Sequence, residues 1–233
     1  MLPVARAEKG SWGEWVVAKL NLPELLAKEL ASLQSLGKLH QTAIFMSSAT
    51  DPYQGVERQA LLTRASLEAL TRHPIRRLLL QTRSPMVERD IDILKSLGSS
   101  VIVSITLETD DDAVRRALTP TSPSVKRRIE ACQRLRSEGI YVQLAIAPMM
   151  PNAAERFAEM ARASADRVVV DTYFDGDGAK GRRSRALGMA EIYTKLGFEG
   201  WFREGAEADL IAALKRRLGP DRVLFSRAGF NSV

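Results

Sequence analysis

Between Val101 and Ile146 the chain reads VIVSITLETDDDAVRRALTPTSPSVKRRIEACQRLRSEGIYVQLAI. The stretch opens on the apolar run Val101-Ile102-Val103 and closes on Leu144-Ala145-Ile146. Near-continuous apolar character is what a strand covered on both faces requires. Between the runs, Val125, Ile129, Cys132 and Leu135 recur at spacings of four, three and three, one stripe of a helix. Ser122 followed by Pro123 suits the start of that helix, with Ser as cap and Pro in the first turn. Gly139 supplies its stop. Strand, helix, strand in this order predicts a parallel pair joined by a right-handed crossover.

The same unit recurs on either side. Further apolar runs stand at Ile44-Phe45-Met46, Leu78-Leu79-Leu80, Val168-Val169-Val170 and Val223-Leu224-Phe225. Helical stripes fall between them: Val56, Ala60, Leu67 and Leu70 on one face, then Val87, Ile91 and Leu94. Asn152 with Glu155 three residues on reads as a capping pair, and Gly219-Pro220 closes the last helix. The segment Thr172 to Arg185, rich in Gly, Asp and basic residues, reads as a loop within the domain and not as a linker. No repeat beyond the strand–helix rhythm is visible. The pattern predicts one α/β domain over residues 1–233, an open or incomplete barrel of parallel strands.

Composition narrows the class. At 233 residues and 45% apolar, the chain can bury a sizeable core. It holds no uninterrupted apolar run of about 18 residues, the length a membrane span needs. Met1 to Gly10 contains no apolar segment of a secretory signal. The single cysteine, Cys132, can form no internal disulfide and cannot alone hold a cluster, which predicts a reduced, cytoplasmic compartment. Its place on the apolar stripe reads as a buried small hydrophobe. His40 and His73 fall in helix-to-strand connections with no other ligand at metal spacing. The formal net charge is +6, with basic groups at Arg76-Arg77, Lys126-Arg127-Arg128, Lys180 to Arg185 and Lys215-Arg216-Arg217. These read as solvated helix faces, with attraction to phosphate or nucleic acid as the alternative. Three Trp and few other aromatics give base stacking little support.

In parallel α/β sheets, ligands bind at the carboxyl ends of the strands. Polar residues come directly after the apolar runs there: Ser47, Ser48, Thr50 and Asp51; Gln81, Thr82 and Arg83; Ser104, Thr106 and Glu108; Asp171 and Thr172. Four segments together carry a resemblance. They are Ser47-Ser48-Ala49-Thr50-Asp51-Pro52-Tyr53-Gln54 with Glu57; Gln81-Thr82-Arg83-Ser84 with Arg89-Asp90; Val103-Ser104-Ile105-Thr106; and Ile146-Ala147-Pro148 after the Arg128 helix. Over about residues 11 to 160 the chain resembles the spore photoproduct lyase-like group of radical S-adenosylmethionine (radical SAM) proteins. The Thr50-to-Glu57 segment is the most specific piece.

The resemblance implies a partial (β/α)6 TIM-like barrel, with residues 172–233 as a C-terminal extension that closes it. It also implies a [4Fe-4S] cluster and SAM as cofactors, with SAM cleaved to a 5′-deoxyadenosyl radical. By the same token, Thr50 holds the methionine end of SAM, together with its neighbours Ser48 and Asp51. Arg83 faces the SAM carboxylate, where the lyase carries Lys. Ser104 and Thr106 share the inner face of a strand and meet the ribose, and the backbone at Ala147 and Pro148 meets adenine. Arg128 faces either the site or solvent. Turn chemistry is the alternative at Thr50 and Asp51, as a surface position is at Arg83 and strand-end satisfaction at Ser104 and Thr106. Tyr53 reads as packing, with a radical relay as the alternative, and Arg89-Asp90 as a structural ion pair.

Two departures from the group stand out. Its Cys-x-x-x-Cys-x-x-Cys cluster loop is not in this chain, and Gly10 to Val16 resembles the segment just after that loop. The expectation is a chain lacking its cluster site and first strand, with the strand at 42–48 left as an open edge and no SAM cleavage by the polypeptide itself. A late start, a gene remnant and a cluster-free SAM-, nucleotide- or nucleic-acid-binding relative all remain open. Second, Ser48 stands where the lyase has a hydrogen-donating cysteine, and an O–H bond is too strong for that role. Repair of a thymine dimer by that route is therefore not expected.

Overall fold

A computed structural model of the chain describes residues 16–47, 50–176 and 178–231. Helix α1 (Leu22–Ser35) precedes strand β1 (Ala43–Met46), and short α2 (Glu57–Ala60) runs into α3 (Leu62–Arg72). Next come β2 (Arg77–Thr82), α4 (Ile91–Leu97), β3 (Val101–Thr106), α5 (Asp112–Leu118), α6 (Val125–Ser137), β4 (Val142–Ile146), α7 (Ala154–Ser164) and β5 (Arg167–Val170). The C-terminal part holds α8 (Tyr173–Gly176), α9 (Arg182–Ala186), α10 (Met189–Lys195), α11 (Ala208–Leu218), β6 (Val223–Phe225) and α12 (Ser226–Asn231). The six strands form one sheet in the order β1-β2-β3-β4-β5-β6, and every neighbouring pair is parallel. This is the partial barrel that the strand–helix rhythm predicts. All six apolar runs are strands.

Strand alternation sorts the side chains. Leu78, Leu80, Val103, Ile105, Leu144, Ile146, Val168 and Val170 pack with Leu67, Leu94, Cys132, Leu135, Phe157 and Leu214 of the helices in one core. Leu79, Ile102, Ala145 and Val169 alternate with them and are also buried, on the inner face of the curled sheet. That face carries polar groups as well, Gln81, Ser104 and Gln143. Among the described residues β1 pairs only with β2 and lies at the sheet's edge, with Phe45 43% exposed. The expected open edge at this strand is what the sheet shows. At the other end Gly229 of α12 sits flat on β5 and β6. A Cβ there would lie 2.5 Å from Val169 Cγ1 and 3.0 Å from Leu224 Cβ, so only glycine fits.

Several boundaries differ from the expectation. The cap of α6 is Ser124, whose hydroxyl accepts from Arg127 N at 3.3 Å. Ser122 lies two residues earlier, where its carbonyl accepts from Arg115 Nη1. Asn152 and Glu155 do not cap α7: Asn152 Nδ2 donates to Met150 O, and the Glu155 carboxylate takes Arg216 and Arg217. Asp110 supplies the acceptor instead, taking Ala153 N at 3.1 Å. The stripe from Val56 to Leu70 breaks at Leu61, which adopts a left-handed φ of 51°. Glu57 satisfies the restart, its carboxylate accepting from Leu62 N and Thr63 N at 3.0 and 2.9 Å. The segment from Thr172 to Arg185, expected as loop, contains α8 and α9. Among the described residues no helix is long and apolar enough to cross a membrane.

Candidate functional site

The carboxyl ends of β1, β2 and β3 meet at a chain of charged groups. Asp51, in the loop after β1, accepts from Thr82 Oγ1 at 2.6 Å and from Tyr53 N at 2.8 Å through Oδ1. Its Oδ2 accepts from Arg83 N at 2.8 Å. One carboxylate thus ties the loop after β1 to the end of β2 and fixes where Arg83 leaves the strand. Thr82 Oγ1 in turn accepts from Ser84 N at 2.9 Å.

The Arg83 side chain then turns back on Glu108. Its Nε donates to Glu108 Oε1 at 2.6 Å, and Arg128 Nη1 donates to Glu108 Oε2 at 2.8 Å. Glu108 and Arg128 have no exposed surface, while the Arg83 side chain is 43% exposed. Arg128 Nη1 also donates to the Thr106 carbonyl, at 2.8 Å. Burial alone would raise the Glu108 carboxyl, but the charges of Arg83 and Arg128 outweigh it and hold the group below its usual range. With Nε spent on Glu108, both terminal nitrogens of Arg83 have no partner among the described residues, and the side chain is partly exposed. A guanidinium gripped by its inner edge and open at its fork is suited to a carboxylate or phosphate. Tyr173, at the start of α8, lies near enough to feel both Glu108 and Arg83, and burial raises its phenol.

The wall behind these groups is stiff. Met149 N donates to Asp171 O, Met150 N to Glu108 O, and Thr109 Oγ1 to Pro151 O at 2.6 Å. These bonds lock the loops after β3, β4 and β5 together. Ala147, half-buried, precedes Pro148 through a cis peptide bond at this rim. Asp171 is partly buried there, its carboxyl pushed up by desolvation.

The structure thus brings Asp51, Arg83, Thr106 and Ala147 to one end of the sheet. Thr50 is exposed on the same loop as Asp51. Ser48 lies outside the described residues. Ser104 is one layer deeper and engaged: its hydroxyl accepts from Gln143 Nε2 at 3.0 Å and reaches Gln81 Oε1 at 3.5 Å. Arg128 is buried in the site, not turned to solvent as its neighbours Lys126 and Arg127 are. Glu108 enters the sequence reading only as a polar group after the third apolar run, with no role, and Tyr173 does not enter it. Glu108 carries a signal, an acid two positions past Thr106 at a strand end; Tyr173 carries none.

Tyr53, Glu57, Arg89 and Asp90 assemble behind the site as a clamp. The Tyr53 hydroxyl donates to Asp90 Oδ2 at 2.9 Å, Arg89 Nε to Asp90 Oδ1 at 2.9 Å, and Arg89 Nη2 to Glu57 Oε1 at 3.0 Å. Burial, with the Asp90 charge beside it, raises the Tyr53 phenol steeply. The motif is therefore largely structural: it fixes the loop that carries Thr50 and Asp51. The basic runs are mostly engaged. Arg127 pairs with Glu130 at 2.7 Å, Arg216 and Arg217 pair with Glu155, and Arg185 stacks over Phe174. Among the described residues these runs are thus largely offset by acidic or aromatic partners.

A metal cluster does not fit the residues present. Among the described residues no group of three or more His, Cys, Asp or Glu is placed to hold a metal. Cys132 is buried on α6 in the helix-side core, with burial pushing its thiol up to about 12. The Arg83 fork, free of partners among the described residues, has the donor geometry that the carboxylate of SAM would suit.

A family model described as the radical SAM superfamily matches residues 10–169. The uncharacterized protein MJ0683 of Methanocaldococcus jannaschii is 34% identical over 143 residues, covering 61% of this chain and 51% of that protein. The chain spans about half the length of the curated relatives it matches, 51% and 44%. Spore photoproduct lyase complexed with dinucleoside spore photoproduct superposes with a TM-score of 0.61 at 12% identity, over 88% of this chain and 66% of that one. A variant of the same lyase with bound AdoMet and the dinucleoside product also gives 0.61, at 14% identity and the same coverage.

Proposed function

This chain belongs to the radical SAM superfamily, and from that premise we propose that it is the SAM-holding barrel of an iron–sulfur enzyme of the spore photoproduct lyase-like group. The observation that carries the reading is Arg83, gripped by Glu108 at 2.6 Å and open at its fork. In this reading Arg83 takes the methionine carboxylate, helped by the loop of Ser48, Thr50 and Asp51. Thr106 lies toward the ribose with Ser104 beneath it, and the Ala147 backbone lies toward adenine. When bound to a cluster, SAM supplies a 5′-deoxyadenosyl radical. These 233 residues offer no thiolate set for that cluster, so SAM cleavage is not assigned to them. The three cysteines of the working enzyme lie outside this sequence in the proposal. Residues 172–233 belong to the same domain and close the barrel, an idea supported by the seating of Gly229 on Val169. A reduced, cytoplasmic setting suits both the cluster and the lone thiol.

A second reading has a specific observation in its favour. The Arg83–Glu108–Arg128 chain is complete without any cluster ligand, as a cluster-free SAM- or nucleotide-binding module would be. Calorimetric titration of SAM into the iron-free polypeptide tests what both readings share. Saturable binding is expected, weakened about tenfold or more in Arg83→Met, since a hydrogen bond to a charged group contributes about 1.5–3 kcal/mol. Absence of saturable heat in the wild type would remove both. Anaerobic reconstitution then separates them: iron is taken up and 5′-deoxyadenosine released only when a three-cysteine segment is present in the longer protein. If that longer protein binds SAM but no iron, the module reading stands.

A further inference from the structure

Toward its opposite end the inner face holds two more cations, and these have no acidic partner among the described residues. Gln81, Ser104, Gln143 and Arg167 are cross-strand partners in one row: Gln81 pairs with Ser104, Ser104 with Gln143, Gln143 with Arg167. Arg167 Nε donates to Gln143 Oε1 at 2.7 Å. Arginine can only donate, so this bond fixes the Gln143 amide with its nitrogen toward Ser104, which it reaches at 3.0 Å. The Ser104 hydroxyl, having accepted, turns its proton to Gln81 Oε1 at 3.5 Å. Every link runs the same way. The row contains no acid and ends on the Gln81 side chain of β2, two residues before Arg83.

Two donors are left over nearby. Arg167 Nη2 and Arg77 Nε are both sealed from solvent without a hydrogen-bond partner. Arg77 otherwise donates only through Nη1, to Ser99 O at 2.7 Å. Arg77 and Arg167 are the first residues of β2 and β5, on the inner face, and neither forms an ion pair among the described residues. Burial lowers the Arg167 guanidinium, the Tyr141 ring beneath it at 6.0 Å offsets part of this, and the Arg77 charge adds to it. The contrast with Arg128 is direct: that buried arginine has Glu108, and these two have no acid. Partly buried like charges and a surplus of donors call for an acceptor-rich anion.

We propose that Arg77 and Arg167 form an oxyanion site at the amino-terminal mouth of the barrel, taking the phosphate or carboxylate group of a small molecule. The site is independent of the SAM reading. Arg77 lies six residues before Arg83 along β2, roughly 20 Å away at about 3.3 Å per residue.

Thermal unfolding of the iron-free polypeptide in sodium phosphate, sodium acetate and sodium chloride at matched ionic strength tests it. The midpoint is expected to rise saturably with phosphate or acetate over chloride, and the anion effective at lower concentration identifies the group bound. Arg77→Met and Arg167→Met are each expected to weaken that response at least tenfold, while Arg76→Met, on the adjacent exposed position, leaves it intact. Should Arg167→Met not fold, Arg77→Met and broadening of the phosphate signal in 31P NMR decide. An equal midpoint in all three salts, or a response that survives both variants, overturns the site. SAM titration gives its own answer in the same samples, so failure here leaves the strand-end reading untouched.

Discussion

Glu108 is the most informative residue to remove. It has no exposed surface and sits between Arg128, also without exposed surface, and the half-exposed Arg83. Glu108→Leu leaves the Arg128 charge buried and unpaired, with Nε and Nη2 already lacking partners. Breaking a buried pair by removing one member costs about 3–5 kcal/mol. The Arg83 arm adds little, because pairs with an exposed member contribute about 0–1 kcal/mol. The expected loss is therefore close to 3–5 kcal/mol, a large part of the roughly 5–15 kcal/mol by which domains are stable. Glu108→Leu/Arg128→Met removes both charges, and the double variant should recover most of that loss. Urea unfolding followed by tryptophan fluorescence measures each corner of the cycle. The sign of the pH effect comes from the lowered Glu108 carboxyl. Its stabilisation is complete above the unfolded carboxyl value of about 4.3 and is lost as pH falls through the folded value. The wild type should thus lose stability in acid more steeply than the double variant. A Glu108→Leu loss under about 1 kcal/mol, or a double variant no better than the single, would refute the reasoning.

Three further outcomes concern single sites. Cys132, buried with its thiol raised to about 12, should resist a thiol reagent at about pH 8 in the native protein and react only with the unfolding rate; prompt labelling of the native state would contradict its burial. Gly229→Ala places a methyl 2.5 Å from Val169 Cγ1 and should cost about 1–3 kcal/mol, read as faster amide exchange along β6 and α12. Asp51→Ala removes the acceptor of three hydrogen bonds, two of which join the β1 loop to the end of β2. It should weaken SAM binding through misplacement of Arg83, with a stability loss of only about 1–3 kcal/mol; unchanged affinity would show that Arg83 is placed without it.

The strands are legible because burial on both faces leaves a short apolar run that little else in a polar chain imitates. Leu78 to Leu80 and Val168 to Val170 illustrate it, with relative exposures of 0–1%. Caps are less legible because several groups compete for the same amide. Ser122 and Ser124 both precede α6, and spacing alone does not say which hydroxyl turns inward. At α7 the winning acceptor, Asp110, comes from 43 residues away, a distance no local pattern spans. The site is half legible for the same reason. Arg83 and Asp51 announce themselves by type at a strand end. Glu108, which decides what Arg83 can do, acts through a partner 25 residues off, and Arg128 looks from sequence like one more member of a basic run.

How the barrel handles its inward-reaching arginines separates its two ends. At the carboxyl end, Arg128 and Arg83 share one carboxylate, which makes Arg128 a fixed support and leaves Arg83 open at its fork. Protein alone completes the first half of that arrangement, and a ligand is needed only for the second. At the amino end, Arg77 and Arg167 have carbonyl partners but no carboxylate, and the row from Arg167 to Gln81 passes hydrogen bonds onward without ending on an acid. Evenly distributed solvent exposure does not account for the difference, since sealed donors occur at both ends. The sign of the missing partner does: the carboxyl end contains its own anion and has one open fork, whereas the amino end has no acidic partner among the described residues and has spare donors on Arg77 and Arg167. A small anion added to the protein should therefore stabilise it through the amino end, and Arg77→Met should weaken that effect at least tenfold while leaving SAM binding at the Arg83 fork unchanged.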